Sequence, residues 1–209
     1  MGGCTEERFL KDVSDHQMTI IRDEGNHRHL RFQKPGTSAY RFELITWDGQ
    51  LCITGDCGTY VFARLTDMFN FFRMDKGDFN HSEDKKLNIN SGYWGEKLLS
   101  IGTNAGYEKY APDVFKQTIK ESFEGWEFES DEQKEEVWEQ VENDVLSCAD
   151  DGEVRAFDAA NEYESDYDHE FTDFWESDLT EYTMRYVWCL YAIVYGIGAY
   201  DQSKAAEAA

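Results

Sequence analysis

The strongest constraint on the fold is an alternation of polar and apolar residues, interrupted by turn signals, between residues 18 and 63. Alternation places every second side chain on the same face of an extended chain, which is typical of β-strands. Turn dipeptides separate the alternating runs at Gly25-Asn26, Pro35-Gly36 and Asp48-Gly49, and Asp-Gly is a strong signal for a two-residue hairpin. With a further glycine-rich turn at 55–58, the pattern predicts an antiparallel meander of about five strands.

The chain after this meander follows a helical period, with apolar residues at spacings of three and four. A polar loop is predicted for 75–90, and a short helix or an irregular lead-in for 1–17. The predicted helices start near Leu65 with Thr66 as cap, span Tyr93–Ile101, start at Pro112, span Ser130–Ala149 and span Leu179–Tyr200. Strands first and helices afterwards predict an α+β fold, in which an N-terminal antiparallel β-meander precedes a helical, strongly acidic C-terminal half.

The length of 209 residues predicts a single domain. Its parts are an antiparallel sheet at 18–63, helices at 64–120, an acidic helical segment at 121–182 and a buried helix at 183–200. The fifteen apolar residues of Tyr186–Tyr200 are fewer than the roughly 20 that a bilayer requires, so we predict a core helix and no membrane partner.

Net charge is distributed very unevenly along the chain. The whole chain has 43 acidic and 20 basic residues, a net charge of −23, and the segment 121–182 alone has 24 acidic and two basic residues. The same segment contains eleven aromatic residues, which a disordered acidic tail would lack. We therefore expect a folded segment that displays carboxylates, repels nucleic acid and anionic membranes, and attracts basic partners.

Carboxylates at helical spacing can approach the charge density of a nucleic acid backbone. One band falls on the helix predicted at 130–149, and a second set alternates strictly along 162–168. The alternative interpretation is a solvated surface of an acidic protein. The predicted partner-binding residues are Glu132, Glu135, Glu136, Glu139, Glu142, Asp144, Glu162, Glu164, Asp166 and Asp168.

Sequence signals for catalysis or metal binding are weak. There is no P-loop, no GxGxxG and no nucleophile elbow, and 43 carboxylates make any acidic pair uninformative. His27 and His29 share a strand face without a third ligand, the alternating acids lack the glycine of a calcium loop, and Cys57 has no histidine partner. We predict no catalytic residue, no metal and no cofactor, and reduced cysteines, so an enzyme is the less favoured class.

Two blocks of the sequence resemble a family of phage and prophage accessory proteins. The first is YRFELITWDGQLCITGDCGTYVFARLTDMFNFFR at 40–73, and the second is INSGYWGEKL at 89–98. Together they cover about a fifth of the chain. The resemblance implies expression from a mobile element in the cytoplasm of a bacterial host, and it supplies no catalytic residues.

Three functional hypotheses follow from the charge and this context. By analogy with other small acidic phage proteins, the first is an anti-defence inhibitor of anti-CRISPR or anti-restriction type, which would bind a basic nucleic-acid-binding host protein as a DNA mimic. The second is a sponge or enzyme for a phosphate-bearing small molecule, bound by Arg28, Arg31, Arg41, Arg64 and Arg73. The third is a structural or regulatory phage protein that oligomerises. Each of the three hypotheses is compatible with a homodimer.

Overall fold

The computed structural model describes residues 3–74, 87–103 and 105–209. The described helices are α1 (Glu6–Asp12), α2 (Met68–Met74), α3 (Ser91–Gly95), α4 (Pro112–Glu124), α5 (Asp131–Asp144), α6 (Glu153–Asn161) and α7 (Met184–Glu207). The described strands are β1 (Gln17–Glu24), β2 (His27–Gln33), β3 (Phe42–Trp47), β4 (Gln50–Gly55), β5 (Gly58–Ala63), β6 (Leu98–Ile101), β7 (Glu108–Tyr110) and β8 (Thr180–Tyr182). A sheet followed by helices confirms the predicted α+β class.

The predicted meander is present, with β1 to β5 paired antiparallel in chain order. The Asp48-Gly49 turn joins β3 to β4, and Gly49 has a φ of +80°, in the left-handed region that glycine adopts without strain. In the strand register Leu44 lies between Leu30 and Ile53, and all three side chains are buried. Alternation along the strands therefore gives the sheet a mainly apolar inner face.

The helix predicted over Tyr93–Ile101 is wrong in its second half. Helix α3 ends at Gly95, and Leu98–Ile101 form β6, which pairs antiparallel with β5. The strand satisfies backbone N–H and C=O groups that β5 would otherwise expose along the sheet edge. The helical spacing of Trp94, Leu98 and Ile101 is misleading because all three contact the same core from a helix and a strand.

The helix predicted to start near Leu65 begins three residues later. Helix α2 begins at Met68, and the carboxylate of Asp67, rather than Thr66, accepts a hydrogen bond from the backbone N–H of Phe69 at 3.0 Å. Most of the loop predicted for 75–90 lies outside the described residues.

The inner face of the sheet packs against α7. The buried residues of α7 include Trp188, Ile193 and Ile197. They share one core with the sheet, with Phe9 of α1 and with α2. This agrees with the prediction of a buried helix. The structure adds that a Cβ on Gly196 would lie 2.6 Å from Leu44 Cδ1, so this glycine lets helix and sheet approach closely.

The bounds of α7 differ from the predicted range at both ends. Residues 180–182 form β8, and the helix begins at Met184, where the hydroxyl of Thr183 caps it. The helix continues past the predicted end at Tyr200 to Glu207, and Lys204 in this last part pairs with Asp23 at 2.9 Å and with Glu207 at 2.8 Å. No helix in the described part of the chain is long and apolar enough to cross a membrane.

The chain divides into two compact units. Unit 1 comprises residues 1–107 and 182–209, and unit 2 comprises 108–181. Compactness alone does not decide whether the units fold together, so the predicted single domain stays a prediction. The acidic part of the chain is a unit that begins at Glu108, thirteen residues before the segment predicted at 121–182.

Unit 2 combines α4, α5, α6 and the β7–β8 pair around a core of its own. The predicted starts of two helices are confirmed, since Pro112 is the first residue of α4 and the Ser130 hydroxyl accepts from the N–H of Gln133 at the start of α5. The helix predicted to Ala149 ends at Asp144 and continues as a 3₁₀ turn, Leu146–Asp151.

We predict that Gly196→Ala destabilises the protein by about 1–3 kcal/mol, because the added methyl group would overlap Leu44 and press on Phe32. Gly198→Ala is the matched control. A Cβ there meets nothing within 4 Å, and alanine favours a helix over glycine by up to about 1 kcal/mol. Denaturant unfolding of both variants measures the difference, and equal effects would contradict close packing at Gly196.

Candidate functional site

The negative charge of the protein is concentrated in unit 2. Residues 108–181 contain 26 acidic and five basic side chains, a net charge of −21 out of −23. All the acidic residues except Glu108 are exposed. With bases of the described chain, three acids of this unit form ion pairs: Glu181 with Lys109, Asp150 with Lys116 and Glu124 with Lys120. Most of the charge is therefore neither buried nor neutralised by neighbouring bases.

An aromatic core holds this charged unit together. Phe123 contacts Trp138 at a ring-centroid distance of 4.7 Å, and Trp126 contacts Phe171 at 4.8 Å. Burial of one such side chain stabilises by about 1.5–3 kcal/mol, whereas a neighbouring pair of like charges on a helix destabilises by about 0.2–0.5 kcal/mol. The core outweighs the repulsion, as the eleven aromatic residues of the segment predict.

Helix α5 carries six of the ten predicted partner-binding residues, all of them exposed. Its buried side is formed by Val137 and Val141, and Val145 follows at the C-cap. Seven of the twelve other positions of the helix are Glu or Asp, so the remaining circumference is mainly acidic. The predicted partner-binding residues among them are Glu132, Glu135, Glu136, Glu139, Glu142 and Asp144.

The segment 162–168 carries the other four. Tyr163 and Ser165 are buried, and the acids that alternate with them, Glu162, Glu164, Asp166 and Asp168, are exposed. A turn closes the segment, because the Ser165 hydroxyl accepts from the N–H of Tyr167 at 3.2 Å and of His169 at 2.9 Å. Alternation here corresponds to one buried and one solvent-facing side only at Tyr163 and Ser165, because Tyr167 is exposed.

The structure brings helix α5 and the segment 162–168 together. The Tyr167 hydroxyl donates to the carboxylate of Glu136, which raises the pKa of Tyr167, and the side chain of Gln140 donates to Asp166 at 3.0 Å. Further along, Asp144 lines a shallow cavity of about 270 Å³ together with Arg155, Ala159, Glu162, Tyr163 and Glu164. We call the ten carboxylates of α5 and 162–168 the acidic ridge.

The acidic ridge approaches the charge density of duplex DNA. From Glu132 to Asp144 the helix rises by about 18 Å, and a duplex of that length carries roughly ten phosphate charges. Six carboxylates of α5 lie along that distance, and the other four lie on 162–168, which the Gln140 and Tyr167 contacts hold against the helix. Two bases lie nearby and reduce the net charge: Arg155 lines the cavity beside Asp144, and Lys134 lies over the Phe128 ring at 5.7 Å.

Gln140, Ser165 and Tyr167 were not predicted from the sequence as part of this surface. Gln140 follows Glu136 by four residues, so helical spacing could have placed it in the same row. Its contact with Asp166 joins residues 26 apart in the chain, and no local pattern indicates such a pair.

The five arginines predicted for the second hypothesis do not form one cluster. Arg28 lies on the inner-face side of β2 and pairs with both oxygens of Asp67, at 2.8 and 3.1 Å, and Arg73 pairs with Asp201. Arg64 is exposed at the end of β5. Arg31 and Arg41 are the two that meet, at the carboxylate of Glu43.

Glu43 is a nearly buried acid, and His29 also bonds to it. Burial opposes ionisation of Glu43, but the hydrogen bonds from His29 and Arg31 outweigh it and hold the pKa of this carboxyl below its ordinary value. Sequence analysis paired His29 with His27 as neighbours on a strand face and did not identify Glu43 as the partner of His29.

The remaining candidates from the sequence are Cys57 as a nucleophile and a metal site. Burial raises the pKa of the Cys57 thiol to about 12, which disfavours the thiolate that a nucleophile needs. All five cysteines are free thiols. Within 3–74, 87–103 and 105–209, no group of three or more His, Cys, Asp or Glu side chains is placed to hold a metal ion.

Comparison with protein-family models, with curated proteins and with solved structures finds no match for this chain. Its function therefore has to be inferred from the geometry and charge of the molecule itself.

Because unit 2 carries most of its charge unpaired, we predict that salt stabilises it. Raising NaCl from about 20 mM to about 500 mM shortens the Debye length from roughly 20 Å to roughly 4 Å and should raise the melting temperature by about 2–4 °C. A variant with Glu132, Glu135, Glu139 and Glu142 changed to Gln should gain less. Thermal unfolding followed by circular dichroism measures both melting temperatures. An equal rise in the two proteins would contradict repulsion along the ridge.

Proposed function

We propose that this protein is a phage-encoded anti-defence inhibitor of anti-CRISPR or anti-restriction type. Its acidic ridge binds the basic nucleic-acid-binding surface of a host defence protein in place of DNA. The supporting observation is that six exposed carboxylates lie along about 18 Å of α5 and four more on a segment that contacts this helix, which approaches the charge density of a duplex. The bacterial host cytoplasm is the compartment in which such a target is found.

The rigidity of the ridge matters for this function. The carboxylates of α5 are carried by a helix capped by Ser130, and the Gln140 and Tyr167 contacts hold 162–168 against that helix. The repulsion between carboxylates is already present in the folded protein, so a basic partner relieves it on binding. Complementary charge also accelerates the encounter and makes it sensitive to salt.

The sign of the charge argues against nucleic acid or an anionic membrane as the direct partner. Unit 2 has a net charge of −21, and phosphate groups of either kind would be repelled by it. A positively charged groove is the surface type that gains most from the ridge.

Charge reversal tests this proposal. We expect Lys at Glu132, Glu135, Glu139 and Glu142 together to abolish inhibition and to weaken partner binding by about 100-fold, because attraction becomes repulsion within one groove. Glu136 is left unchanged because it accepts a hydrogen bond from Tyr167. The readouts are phage plating on a host with active CRISPR or restriction defence, and affinity capture from its lysate at low and high salt.

A matched control has the same net charge change away from the ridge. It carries Lys at Asp113, Glu121, Asp151 and Glu176, four exposed acids of unit 2 outside α5 and 162–168. The control should retain inhibition, and duplex DNA should compete with the wild-type protein for the captured partner. Equal loss in both variants, or inhibition unchanged by reversal on the ridge, would reject DNA mimicry.

A further inference from the structure

The sheet of unit 1 has a second face, opposite to the one that packs on the helices. The inner face is formed by buried residues such as Leu30, Leu44 and Ile53, which share a core with α1, α2 and α7. Side chains one position along each strand point the other way. We call this the outer face; it includes His29 and Arg31 of β2, Glu43 and Ile45 of β3, Cys52 of β4, and Val61 of β5.

A cluster of positive charge is built into the outer face. Arg31 Nε and Arg41 Nη1 both donate to Oε1 of Glu43, at 2.9 and 2.8 Å, and His29 Nε2 bonds to Oε2. The Glu43 side chain is only 10% exposed, so the carboxylate is held from several sides. Two guanidinium groups share one carboxylate, and the cluster keeps an excess positive charge even when His29 is neutral.

Both arginines keep donors for a further anion. Each guanidinium has five N–H donors, and the contacts with Glu43 use one from each residue. The side chains of Arg31 and Arg41 are 42% and 39% exposed, so the other donors are accessible. Glu43 restricts the orientation of both groups, which lowers the entropy lost when an anion binds.

An apolar row lies beside this cluster. In the strand register His29 is opposite Ile45, Ile45 is opposite Cys52, and Cys52 is opposite Val61. These residues lie on the same face as Arg31 and Glu43, about 7 Å further along the strands. A ligand with an anionic group and an apolar planar body would contact both rows at once.

We propose that Arg31 and Arg41 form a binding site for the phosphate group of a nucleotide, whose base would lie on the row of Ile45, Cys52 and Val61. The site belongs to unit 1 and involves none of the carboxylates of the acidic ridge. It narrows the five arginines of the second hypothesis to two.

The test is an NMR titration of the ¹⁵N-labelled full chain with three probes: adenosine monophosphate, inorganic phosphate and adenosine. We expect the monophosphate to shift the resonances of β2 to β5 and to bind at least tenfold more tightly than either of the other two, since only it meets both rows. Equal binding of phosphate and nucleotide would overturn the role of the apolar row, and absence of shifts with both would overturn the site.

The variant that carries Arg31→Lys and Arg41→Lys keeps the charge around Glu43 and therefore the fold, but loses the forked donors. It should weaken nucleotide binding about tenfold, while Arg64→Lys, a control on an exposed arginine of unit 1, should not. Unchanged binding in the double variant would overturn the assignment. The charge reversals on the acidic ridge should leave nucleotide binding intact, so this test and that of the inhibitor function fail independently.

Discussion

Electrostatic repulsion within unit 2 is the constraint around which this part of the molecule is built. A net charge of −21 on 74 residues opposes any compact state, since like charges are brought closer on folding. Aromatic burial is the force large enough to overcome it in so short a segment. The packing of Trp126 against Phe171 and of Phe123 against Trp138 is therefore a condition for displaying the acids at all.

In this segment, one set of residues forms the core and another set carries the surface charge. Buried valines and aromatic rings determine the shape of unit 2, and the carboxylates take almost no part in its core. A surface whose charges are not needed for packing can present them to a partner without loss of fold. That property supports an interaction role over a purely solvated surface, because the contacts of Gln140 and Tyr167 unite two acidic elements instead of spreading them apart.

In unit 1, unlike unit 2, opposite charges are paired. Several of its arginines pair with one carboxylate each, as Arg28 does with Asp67 and Arg73 with Asp201. The exception is Glu43, which two arginines and a histidine share. This unequal match of charges lies on a strand face that the described helices of unit 1 leave uncovered. It distinguishes the outer face from an ordinary set of surface ion pairs.

Local patterns in the sequence determined the meander, the helix starts at Ser130 and Pro112, and the concentration of acids in one folded segment. These features depend on neighbours within a few residues, where periodicity and turn chemistry carry the information. Tertiary structure decided that Leu98–Ile101 form a strand, that α5 and 162–168 make one ridge, and that Arg31 and Arg41 converge while Arg28 does not. Each of these outcomes joins residues that are distant in the chain or sorts neighbours onto opposite faces of a sheet, and only the packed structure contains that relation.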